Sequence, residues 1–158
     1  MDFPFNIALG RIAEFYNRVD QNDPTNSALI LLVLALSGLE NDETLREKET
    51  VTALVAGTTN EVTNTGYSRK TLTDTDLVAM TVDHANNWRL LDIADQTFAT
   101  ITAGDAWAKL VMAYDNDTTG GTDTNLIPMC AFDLEIAPDG TDVVIQIAFA
   151  GFWKGLKQ

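Results

Sequence analysis

Apolar residues at Phe5, Leu9, Ile12, Tyr16 and Val19 follow the four-three spacing that lines one face of a helix, with Asn6, Arg11, Asn17 and Arg18 on the remainder. Gln21, Asn22 and Asp23 favour a turn and Pro24 cannot continue a helix, so this element is expected to stop near Asp20. Pro24 then suits the first turn of a second helix. That helix takes in the unbroken apolar stretch 28–36 and ends at Gly38, a residue that readily adopts a left-handed cap. The two elements together make a helical hairpin. A short third helix is expected from Asp42, the N-cap, with Glu43 and Glu47 near its positive end, through Leu45, Val51, Leu54 and Val55 to Gly57.

Beyond Gly57 the pattern changes to short segments rich in Thr, punctuated by Asn60, Asn64, Gly66, Asn87, Gly104, Gly120, Gly121 and Gly140. Strands are expected at 62–72 with a break at Gly66, and at 77–82, 88–93, 97–102, 106–114, 127–136 and 142–149. In the last, Val143, Ile145, Ile147 and Phe149 alternate with Val144, Gln146 and Ala148. The turn Pro138-Asp139-Gly140 before it predicts a hairpin with the preceding strand. The segment 106–114 is apolar on both faces apart from Lys109, so it belongs in the middle of a sheet covered on each side.

Strands that follow one another without intervening helical patterns argue for an antiparallel arrangement. The expected fold class is α+β: an N-terminal helical hairpin plus a short third helix, followed by an antiparallel β-sandwich or jelly-roll-like sheet. The 158 residues suit one domain, 1–158, with a helical part over 1–57 and a β part over 58–158. A helix that is apolar on every side has more surface than one neighbouring helix can cover, so it is expected to be buried either between the first helix and the chain's own sheet or in a subunit interface, for which Leu29, Leu32 and Leu36 are the candidates. Bulky rings at a chain end are usually docked, so Phe152 and Trp153 are expected to pack on the chain's own sheet or to anchor in a neighbouring subunit as further interface candidates.

Composition narrows the function. With 10 Lys and Arg against 23 Asp and Glu, the net charge of −13 repels a phosphate backbone, which argues against a nucleic-acid partner. No apolar stretch approaches the roughly 20 residues of a membrane-spanning helix, and the start of the chain does not read as a signal peptide. The single Cys130 has no disulfide partner within the chain, and one His with one Cys cannot close a zinc shell. His84, in the loop-like Asp83-His84-Ala85-Asn86-Asn87, is the one imidazole available as a base. Ser27, Ser37 and Ser68 stand in no nucleophile-elbow context, and there is no glycine-rich phosphate loop. The sequence therefore predicts no catalytic residue and no cofactor.

One local pattern suggests a metal. In Asp115-Asn116-Asp117-Thr118-Thr119-Gly120-Gly121-Thr122-Asp123, the residues Asp115, Asp117 and Asp123 fall at the first, third and ninth positions of a calcium loop, with Gly120 at the sixth. The twelfth position, where the pattern requires a bidentate Glu, is Leu126, and the segment joins strands instead of helices. The competing reading is an acidic, soluble connection between two strands.

Four segments carry a resemblance: Thr58-Thr59-Asn60-Glu61-Val62 through Ser68-Arg69-Lys70; Asp95-Gln96-Thr97-Phe98; Ala106-Trp107-Ala108-Lys109-Leu110-Val111-Met112-Ala113-Tyr114-Asp115; and Ile127-Pro128 through Pro138-Asp139-Gly140-Thr141-Asp142. In these the chain resembles small virion structural proteins of tailed bacteriophages. The resemblance implies a non-enzymatic capsid decoration or cement protein that stabilises the head. Its partners would be the major capsid protein or other virion proteins, and it would form a homo-oligomer such as a trimer. It would be made in the host cytoplasm and end in the virion. A neck, tail or fibre-attachment component is the alternative within that class. From another class comes a glycan-binding or glycan-cleaving module using the acidic loop with Trp88 or Trp107.

Overall fold

The computed structural model describes residues 1–85 and 87–147, together with the backbone of 153–156. Its centre is a five-stranded antiparallel sheet. Along the chain, β1 is Phe3–Pro4, α1 is Ile12–Asp20, β2 is Ala28–Ala35, α2 is Asp42–Arg46, α3 is Val51–Leu54 and β3 is Lys70–Leu72. Then come β4 (Leu77–Asp83), β5 (Trp88–Ile93), β6 (Gln96–Phe98), β7 (Trp107–Asp115), β8 (Ile127–Ile136), β9 (Val143–Ile145) and β10 (Trp153–Leu156). The main sheet has the order β1-β8-β7-β2-β3, and two smaller antiparallel sheets are β10-β5-β4 and β6-β9.

The largest correction to the sequence reading is the expected second helix, which is the central strand β2. Its eight residues are all buried. They divide by alternation: Leu29, Leu31 and Val33 enter one apolar cluster, and Ile30, Leu32 and Leu34 enter the other. A strand covered on both faces is apolar at every position, as a buried helix is, so hydrophobic period cannot separate the two; only the length of eight residues favours a strand. There is accordingly no N-terminal helical hairpin, and β1 and β2 lie within the part expected to be helical. Gly38 does adopt a left-handed φ of +79°, but it closes a turn after β2, where a Cβ would lie 2.2 Å from the Thr58 carbonyl oxygen.

The two other expected helices are each divided. Gly10, at φ +76°, separates a 3-10 turn over Asn6–Ala8 from α1. α2 and α3 each have their own N-cap: the side chain of Asn41 accepts from Thr44 N, and that of Thr50 accepts from Ala53 N. Capping oxygens satisfy amides that a helix start leaves unpaired, so a second cap begins a second helix.

β7 runs beside β2 from Ala28↔Asp115 to Ala35↔Trp107, and all nine of its residues are buried, as the apolar pattern of 106–114 predicts. On one side the plate is covered by α1 (Ile12, Phe15, Tyr16, Val19) and by residues of the two small sheets, among them Leu91, Ile93, Phe98, Val143 and Ile145. On the other it is covered by α2 and α3 with Phe3, Phe5 and Leu126. Both β7 and β5 begin with tryptophan, but Trp107 is 1% exposed and Trp88 is half-buried. The expected hairpin of the last strand with its predecessor is not formed: β9 pairs with β6, Phe98 facing Val143 and Gln96 facing Ile145. The outer part of that strand, 148–149, lies outside the described residues. Among the described residues no helix is long and apolar enough to cross a membrane.

Candidate functional site

Two charged clusters brace the plate, with Lys109 and Glu61 both placed beside Leu34 of β2. Lys109 enters the core from β7 and is 3% exposed. Its ammonium lies 2.5 Å from Asp133 Oδ1, on the paired strand β8, and 2.9 Å from Asp42 Oδ1, at the start of α2. The Phe3 ring lies 5.2 Å away, and the ammonium of Met1 pairs with the same two carboxylates. Burial pulls the Lys109 pKa down, but the hydrogen bonds to Asp133 and Asp42 outweigh it and hold the pKa above the ordinary value. Asp133, hydrogen-bonded by Lys109, is held below the usual carboxylate range.

In the second cluster, Arg69 is gripped by two carboxylates. Its Nε lies 2.9 Å from Glu61 Oε1 and its two terminal nitrogens lie 2.6 and 2.9 Å from the two oxygens of Asp123. The Tyr67 hydroxyl donates to Glu61 at 2.7 Å and accepts from the amide of Val33 on β2 at 2.9 Å. Burial, and then the Glu61 charge, push the Tyr67 phenol far above its usual pKa. The hydrogen bond from Arg69 holds Asp123 below the carboxylate range. Two parallel N–H···O bonds between guanidinium and carboxylate fix direction as well as distance, so Arg69 pins the connection after β7 to the sheet.

That connection contains the candidate calcium residues. Asp115 is 5% exposed, and its Oδ1 accepts from Asp117 N at 3.0 Å. Asp117 Oδ1 in turn accepts from the amide and hydroxyl of Thr119, which lower its pKa. Asp123 is directed at Arg69 with both oxygens. The three carboxylates thus serve three separate local arrangements, and the described residues contain no group of three or more His, Cys, Asp or Glu placed to hold a metal ion. Leu126, the residue that breaks the calcium pattern, is 5% exposed in the core. The carbonyls of Leu126 and Asp123 accept from Val51 N and Thr52 N at 3.1 Å each, satisfying the first amides of α3.

Of the expected interface residues, Leu29 and Leu32 have zero exposure because they face opposite sides of a strand inside the chain's own core. This corrects their assignment to a surface. Leu36, just past the end of β2, is 62% exposed. Phe152 and the side chain of Trp153 lie outside the described residues; the backbone of Trp153 pairs with Leu91 in β10. His84 is exposed beyond β4, and burial drives the Cys130 thiol far above its usual pKa, so the two do not form a nucleophile and base.

Arg69, Glu61, Tyr67 and Asp133 were not singled out by their spacing, and Asn64 was read only as a turn residue and Asp42 only as a helix cap, a place that Asn41 takes. Asn64 accepts from Trp107 Nε1 at 3.1 Å and donates to the carbonyl of Thr102. Lys109 had a visible signal: a lone cation in an otherwise apolar strand requires carboxylate partners. Comparison with protein families, with curated proteins and with solved structures finds nothing that this chain matches.

Proposed function

We propose that this chain is a non-enzymatic bacteriophage virion structural protein, a decoration or cement protein that binds the outside of a capsid and stabilises the head. The observation that carries this reading is the β4 edge. β4 is the outer strand of its sheet, and Val78 and Val82 remain 49% and 45% exposed along it. An unpaired strand offers main-chain donors and acceptors for strand addition, and exposed β-branched side chains add apolar contact. Indiscriminate pairing is limited by a bulge between Val78 and Thr81 and by Asp83 at the strand's end. The net charge of −13 fits a surface turned away from packaged genome. The resemblance to small virion proteins supports the same conclusion, since Ala106 through Asp115 contains the central strand β7 and Asp95 through Phe98 contains β6.

The partner in this reading is the major capsid protein, and the chain assembles as a trimer or other closed oligomer around local symmetry axes. Co-sedimentation of purified protein with matured shells of the parent virus tests it: retention at a fixed ratio to capsid subunits is expected, and failure to co-sediment with every matured shell overturns it. Counting copies per particle separates the two readings: the resemblance implies many copies for a cement protein that covers the shell and few for a neck, tail or fibre-attachment component.

A further inference from the structure

On the α1 side of the main sheet lies an open groove of about 500 Å³, lined by Arg11, Arg18, Tyr114, Asn116 and Asn125 with Phe15, Pro24 and Ile127. In a chain with more than two acidic residues for each basic one, this groove is lined by two guanidiniums that share one carboxylate, that of Glu14. Arg11 and Arg18 are seven residues apart, about two helical turns, and flank the groove along α1. Its floor is fixed: Phe15 stacks on Tyr114 with ring centres 4.7 Å apart, and the Arg11 guanidinium lies 4.4 Å above Phe15. The opposite wall is Asn116 and Asn125, exposed carboxamides at the two ends of the β7–β8 connection.

We propose that this groove binds an acidic sugar, a ring bearing one carboxylate or phosphate. The guanidiniums match the paired oxygens of such a group, and each carboxamide presents both a donor and an acceptor, the complement of neighbouring hydroxyls. The volume lies in the range of small-molecule sites. Glu14 tunes the site: Arg11 Nε lies 3.4 Å and Arg18 2.9 Å from its carboxylate, so it positions both cations and competes with an incoming anion. The proposal does not depend on the particle reading.

The test is titration of the full-length, 15N-labelled chain at low salt with glucuronic acid, glucose 6-phosphate, glucose, inorganic phosphate and N-acetyl-aspartate, followed at the Arg Nε–H and Asn side-chain amide resonances. Glucuronic acid or glucose 6-phosphate, or both, should move Arg11, Arg18, Asn116 and Asn125, and which of them binds tells carboxylate from phosphate. Glu14→Gln should tighten binding about threefold by removing the competing charge, and Arg11→Gln should weaken it about tenfold. Arg46→Gln, outside the groove, should leave it unchanged. The Arg11 side chain is exposed, pairs with Glu14 and lies over Phe15, so its variant keeps the fold. The proposal is overturned if neither acidic sugar moves these resonances, if inorganic phosphate or glucose binds as tightly as the acidic sugars, or if Arg46→Gln weakens binding equally. Tight binding of N-acetyl-aspartate alone would also overturn it, assigning the groove to a protein carboxylate.

Discussion

The inner pair β2–β7 and the outer pair β4–β5 are both antiparallel ribbons rich in Leu, Val and Ala, yet every residue of the inner pair is buried and β4 keeps Val78 and Val82 about half in solvent. Composition separates them in part, since the outer pair includes Thr81, Asp83, Arg89 and Asp92 while Lys109 and Asp115 are the charged residues of the inner pair; the rest follows from what lies above each face. β2 has α1 and the small sheets on one side and α2 and α3 on the other, whereas among the described residues β4 is covered chiefly by α1, on one side. The inner pair should therefore set global stability and the outer pair should be free to take a partner. The sharpest break of this contrast is Leu31→Ala in β2, where the lost transfer energy and the cavity together cost about 3–4 kcal/mol, against Val78→Ala in β4, at under about 1 kcal/mol. Chemical denaturation read by tryptophan fluorescence checks both, and equal costs would dissolve the distinction.

Arg69 gives the next largest effect. Arg69→Ala leaves Glu61 half-buried beside the Tyr67 phenol and frees Asp123, so a loss of about 2 kcal/mol is expected, less than for a fully buried pair because the cluster is partly open to water. The loss should come with faster amide exchange at Val51 and Thr52, whose hydrogen bonds end on the loop that Arg69 holds. The same cluster fixes an acid response. Asp123 has a lowered pKa in the folded state, so its stabilisation is present above the unfolded carboxylate value and is lost as pH falls through the folded one. In Arg69→Ala the acid limb of a stability–pH profile should flatten.

Tyr16 ties the two regions together, and removing its hydroxyl should cost about 1–2 kcal/mol. The hydroxyl lies 2.5 Å from the carbonyl oxygens of Val78 and Asp92, bridging the bulge where β4 and β5 part. In Tyr16→Phe the loss of protection against exchange should be confined to β4 and β5, leaving β2 and β7 protected. Burial raises the phenol pKa to about 12. Its contribution is therefore complete below the unfolded value near 10 and is lost as pH rises toward the folded one. Absorbance of tyrosinate against pH reads this directly, and Tyr16→Phe should remove part of the alkaline loss of stability.

The sequence made some of this legible. β5 and β8 lie where their patterns predict, and β7 is central because its run is apolar on both faces. β2 was unreadable for the same physical reason that makes it the core: with no polar face, period carries no information, and the preceding Pro24 and following Gly38 frame a helix as well as a strand. The pairing of β9 with β6 was hidden too, because alternation fixes which side chains face inward and not which strand lies alongside. In the acidic connection, the composition was visible but not the guanidinium 54 residues away in sequence that takes Asp123. Long-range ion pairs leave no local spacing, so only Lys109, isolated within β7, announced that it needed partners.

The smallest effect on stability separates folding from docking. Val78→Lys replaces a half-exposed side chain on the outer strand of its sheet and should change the unfolding free energy by less than about 1 kcal/mol. Lysine at a sheet edge opposes strand addition, because pairing would bury its charge without a counterpart. If β4 is the docking element, this variant should lose co-sedimentation with matured shells while keeping its melting temperature and its oligomeric state. Leu36→Lys, a change of the same kind at a still more open apolar residue outside β4, should keep it. Loss of shell binding in Leu36→Lys with retention in Val78→Lys would move the contact to the end of β2, leaving the β4 edge as a guarded strand with no partner.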